Sequence, residues 1–146
     1  MAELDFTTEE LLEQARGNVS AFFHVAIRWA RERDGSVEGW ATHVGEAFAP
    51  GWDEVGESAP ALEVGRIAGL NMATTADLRP VELSGDESRA VLTMEGPEQK
   101  WLDAWGTTVE DVDRANELIF LPIARRRGLA LTAEREGTLF WLTFAK

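Results

Sequence analysis

The sequence predicts an α+β domain in which an antiparallel sheet of about four strands, built as two hairpins, packs against four to five helices. Three observations carry this prediction. Apolar residues recur at helical spacing through the first half of the chain. The period shifts toward two over residues 81–94 and again over residues 129–144. Between those stretches lies another helical run, opened by Thr107 and Glu110 with the spacing of a capping box.

The elements follow in order. Thr7 and Glu10 form a first capping box, and the stripe Leu11, Ala15, Val19, Phe22, Ala26, Ala30 marks the helix behind it. Gly17 and Asn18 are expected to break or kink this helix, and Asp34 with Gly35 to end it. Ser36 is expected to cap a second helix, carrying Trp40, Val44, Ala47 and Phe48 and ending at Pro50 and Gly51 or just past Trp52. A third helix is expected from Ala61 to about Ala76, with Gly65 and Gly69 placed to admit a close backbone approach. The first hairpin joins residues 81–83 to 88–94 through Ser84, Gly85, Asp86 and Glu87. A short helix follows, with Trp101 and Trp105 on one face. The long helix after Gly106 has acids at its start, the basic trio Arg125, Arg126, Arg127 at its end, and Pro122 as an expected kink. The closing strand alternates Phe140, Leu142, Phe144 with Leu139, Trp141, so it is expected to be central, covered on both faces or lining a cavity.

Length and composition set outer bounds. The 146 residues make one domain, spanning 1–146, whose core needs no disulfide or metal to hold it. Cysteine is absent, which excludes thiol nucleophiles, thiolate metal sites and disulfides, and fits a cytoplasmic protein. The acidic start of the chain has no apolar core of the kind a signal peptide needs. A net charge of −12 disfavours nucleic acid and anionic membranes as partners. Six Trp and seven Phe point to a broad core or to a lined cavity.

Few residues suggest chemistry. His24 shares a strip with Gly17, Ser20, Arg28 and Arg31, read as the solvent side of its helix. His43 borders an apolar stripe, either as a hydrogen-bonded edge residue or as a pocket base, a ligand anchor or a heme ligand, with Glu46 as a candidate carboxylate partner for the base. Metal-ligand spacings, nucleophile elbows and phosphate loops are all absent, so neither metal nor cofactor is expected. Asn116 and Arg66 fall inside apolar stripes, as satisfied edge groups or as anchors for a polar ligand.

The order of parts beyond Ser36 resembles a known family. A Trp-bearing helix leads through another helix into a hairpin; Asp103, Ala104, Trp105 and Gly106 precede a long helix; and the chain closes on "GLALTAEREGTLFWLTF". This arrangement resembles the L-2-amino-thiazoline-4-carboxylic acid hydrolase-like group and, more distantly, the small-molecule-binding domains named after 4-vinyl reductase. The resemblance implies a ligand-binding architecture. Those families commonly carry cysteines near the second strand and in the closing hairpin, where this chain has none, so it implies no thiol-dependent hydrolysis here.

The leading expectation is therefore a small-molecule-binding domain without strong catalysis. Trp40, Trp101, Trp105 and Trp141 would wall an apolar pocket, and His43, Arg66 and Asn116 would anchor polar groups. The alternatives are an enzyme using His43 as general acid and base, and a homodimeric subunit whose exposed aromatics form the interface.

Overall fold

The computed structural model describes residues 5–75 and 77–146. Within them lie α1 (Thr8–Asp34), α2 (Glu38–Phe48), a 3-10 helix (Ala49–Val55), α3 (Ala61–Met72), β1 (Arg79–Gly85), β2 (Arg89–Glu95), α4 (Gln99–Trp105), α5 (Val109–Arg126), β3 (Ala130–Glu136) and β4 (Leu139–Ala145). The α+β class read from the sequence is the class observed. Two antiparallel hairpins form one sheet in the order β1-β2-β4-β3. The first residues of the chain, on which the reading of its start rests, and Ala76, the expected end of α3, lie outside the described residues.

Both chain signals at the start of α1 are realised. Thr7 Oγ1 accepts from the Glu10 backbone at 3.1 Å, and Thr7 N donates to Glu10 Oε2 at 2.8 Å. These bonds to Thr7 hold the Glu10 carboxyl below the ordinary range. The expected break at Gly17 and Asn18 does not occur. One glycine costs about 1 kcal/mol, too little to interrupt a helix of 27 residues that Gln14 and Asn18 bridge side chain to side chain at 2.8 Å. Capping departs from expectation twice. Val37, not Ser36, is the N-cap of α2, with no side-chain cap bond. Thr108, not Thr107, caps α5, accepting from Asp111 N at 3.2 Å. Pro122 sits inside α5 without ending it.

α5 is the hub. One side, with Phe120, Ile123 and Ala124, joins α3 and the sheet in the larger core. Its other side, with Val112, Ala115, Leu118 and Ile119, joins α1, α2 and α4 in a second core. Gly45 lets α2 lie directly on α5, since a Cβ there would stand 2.5 Å from the carbonyl oxygen of Ile119. The α3 glycines admit side chains rather than another backbone. A Cβ at Gly65 would meet Leu83 at 2.9 Å, and one at Gly69 would meet Leu92 at 3.2 Å.

β4 is central, as its composition predicts, but Phe140, Leu142 and Phe144 alone are buried, while Leu139 and Trp141 on the reverse are half-buried. The greater reversal concerns α1. It buries Ser20, His24, Ile27 and Ala30, whereas Leu11, Phe22, Val25 and Trp29 are exposed. Of the strip read as the solvent face, Ser20 and His24 are docked while Gly17, Arg28 and Arg31 are exposed, and of the expected stripe and its neighbours only Ala30 and Ile27 are buried.

Candidate ligand-binding cleft

His24 is 0% exposed, which reverses the reading of it as a surface residue. An imidazole buried that deeply requires partners for its ring nitrogens. Nε2 lies 2.6 Å from Asp77 Oδ1, and Nδ1 lies 2.6 Å from Thr107 Oγ1. An ionised carboxylate only accepts, so Nε2 carries the hydrogen; in the neutral tautomer Nδ1 accepts from the threonine hydroxyl. Ser20, one turn before His24, is buried with it on the docked side of α1. Three distant segments thus meet at one ring: α1, the link between α3 and β1, and the turn between α4 and α5.

Asp77 is only 6% exposed, and while Oδ1 is engaged by His24, Oδ2 is buried and has no hydrogen-bond partner. The same residue borders two hollows. One is a cleft of about 780 Å³ whose walls include Arg79, Glu95, Pro97, Leu102, Val109 and Arg135. The other is a small hollow of about 70 Å³ that also touches Phe23, Met72 and Asn116.

The other charges around the large cleft have partners. Arg79 is paired with Glu95, and Lys100 Nζ lies 2.9 Å from Glu98. Arg135 pairs with Asp113, one of its contacts being Nη2 to Oδ1 at 2.8 Å. Burial pushes the Asp113 carboxyl above its ordinary range, and the bond from Arg135 offsets part of that rise. The cleft therefore offers a few apolar side chains, neutralised pairs at its sides and, on its border, Asp77, whose buried Oδ2 lacks a donor.

The residues singled out from the sequence fall elsewhere. His43 and Glu46 are exposed on α2. Arg66 is exposed and forks onto Glu63 at 3.0 and 3.2 Å. Trp40 is half-buried, tilted against Phe23 with ring centres 5.9 Å apart. Trp101 is exposed on α4 with Lys100 above its ring, Trp105 is half-buried, and Trp141 lies on the reverse of the sheet. None of these four indoles lines the large cleft. The expected common aromatic wall does not form, because the tryptophans leave different elements in different directions. Asn116 is buried as its stripe predicts, but its amide donates to the Val112 carbonyl at 2.9 Å. It alone of the expected anchors touches a hollow bordered by Asp77.

Asp77 escaped the sequence reading because it belongs to no periodic pattern, and Thr107 was read only as a helix cap. Ser20, one turn before His24 and buried with it, was the one available sign that this side of α1 docks. Among the described residues, no group of three or more His, Asp or Glu could hold a metal ion, and no helix is long and apolar enough to cross a membrane.

The class defined by these parts is an α+β domain with a cleft, bordered by Asp77, beside a four-stranded antiparallel sheet. Comparison with protein-family models, with curated proteins and with solved structures gives no match.

Proposed function

We propose that the protein binds a small organic molecule in the 780 Å³ cleft, with Asp77 as the anchor for a hydrogen-bond donor, best a protonated amine. One observation carries the reading: a carboxylate almost wholly withdrawn from water keeps one oxygen unpartnered. Leaving such an atom unsatisfied costs roughly 1–3 kcal/mol, which a ligand donor would recover. The cleft is of the size small-molecule sites have, roughly 300–1,000 Å³. Leu102, Val109 and Pro97 would receive the apolar body of the ligand. This keeps the ligand-binding architecture implied by the family resemblance but replaces the aromatic wall with a single buried acid. Acid–base catalysis by His43 has no cleft to serve, since His43 and Glu46 face solvent. We place the binding in the cytoplasm, a reading supported by the cysteine-free composition.

Thermal shift and calorimetry against matched primary amines, alcohols and carboxylic acids test this. Amines with an apolar tail should raise the melting temperature of the wild type and lose that effect in Asp77→Asn, with circular dichroism confirming that the variant is folded. Equal responses in wild type and variant, or a preference for acids, would overturn the assignment.

A further inference from the structure

We infer that α1 is a self-association surface, pairing antiparallel with α1 of a second copy of this chain. Leu11, Ala15, Asn18, Phe22, Val25 and Trp29 are spaced alternately by four and three residues, and every one is exposed. At about 100° per residue they lie within roughly 40° of a single line along the helix. The docked residues Ser20, His24 and Ile27 lie on the opposite side. The apolar line thus points away from the body, with Phe22 77% exposed and Trp29 50% exposed. Leu12 and Val19, also exposed, widen it along one edge.

Spacing and charge together select the occupant. A repeat of 3.5 residues is what a second helix of like spacing meshes with, side chain into gap. Glu10 and Arg28 lie eighteen positions apart, about five full turns, so they share one edge of the line. About a two-fold axis near residue 20, Leu11 would meet Trp29 of the other copy, and Ala15 would meet Val25. Glu10, whose Oε2 is held by Thr7, would fall beside Arg28, whose Nε donates to Glu32, at both ends. A parallel pair would instead lay the edge carrying Glu10 against the edge of the other copy that carries Leu12 and Val19. Such a contact is isologous and closes on itself as a dimer. A lipid surface fits poorly, because Glu9, Glu10 and Glu13 crowd the same half of the helix and the chain carries a net charge of −12.

Sedimentation velocity over a wide concentration range should give twice the 16.1 kDa chain mass for the wild type. Phe22→Glu, which alters no buried contact, should sediment as a single chain with an unchanged circular dichroism spectrum. The absence of cysteine permits a direct test of direction. Under mild oxidation, an equimolar mixture of Ala15→Cys and Val25→Cys chains should form the mixed disulfide dimer, in excess over the dimer formed by either alone. A wild type that stays single at every concentration would overturn the inference. So would preferential cross-linking of Ala15→Cys with itself, or a dimer that Phe22→Glu leaves intact. Sedimentation of the wild type with anionic vesicles in place of dimer formation would also overturn it, assigning the face to a membrane.

Discussion

α1 and α5 are the two long helices of the protein, both capped by threonine and both striped with apolar residues, yet they use their stripes in opposite ways. α5 buries Val112, Ala115, Ile119 and Ile123 and connects the two cores. α1 meets the body through Ser20, His24, Ile27 and Ala30 and leaves Leu11, Phe22, Val25 and Trp29 outside. The contrast teaches that an apolar stripe names a face needing cover without saying what covers it. A polar strip can be the inward one when its groups find partners.

The comparison is broken most severely at α5. Ile123→Ala removes a side chain 1% exposed in the larger core and should cost about 2–5 kcal/mol in urea unfolding. A loss below about 0.5 kcal/mol, the scale of surface substitutions, would mean that α5 is not the hub. Next comes the polar attachment of α1. His24→Ala leaves Asp77 with neither oxygen bonded by a side chain and should cost about 1–3 kcal/mol. Combining it with Asp77→Ala should cost clearly less than the sum of the single losses; strict additivity would show that the pair does not hold α1 in place. The smallest effect concerns the end of α5. Asp53 accepts from Arg126 at 2.9 and 3.0 Å and from Arg127 at 3.1 Å, and these bonds hold its carboxyl below the ordinary range. A depressed folded-state value means the stabilisation is present above the ordinary carboxylate value and fades as pH falls through the depressed one. Asp53→Asn should therefore be less stable than wild type at neutral pH and converge with it in acid. A constant gap between the two acid-unfolding curves would refute the clasp.

Much of the fold was legible because local rules and tertiary demands agree in most elements. The Thr7 capping box, the two hairpins, the central place of β4 and the glycine stop at Gly35 all follow from short-range chemistry. The exceptions have specific causes. Pro122 is tolerated because α5 is buried on two sides, so packing outweighs the lost backbone bond. Thr107 failed as a cap because its hydroxyl serves His24, leaving Thr108 to bond the helix end. The site was almost illegible. It is assembled from side chains 53 and 83 positions apart in sequence, and no periodicity encodes such a meeting. Aromatic abundance misled because six tryptophans in one small chain do not imply one chamber.

The strand order places β1 and β3 at the two rims of the sheet. Both rims are ill-suited to growth. β1 contains Pro80, which lacks an amide hydrogen, and its register slips between Pro80 and Glu82. β3 ends in Glu134, Arg135 and Glu136, whose charges resist a neighbouring strand. The sheet is thus guarded against edge-to-edge stacking into fibrils.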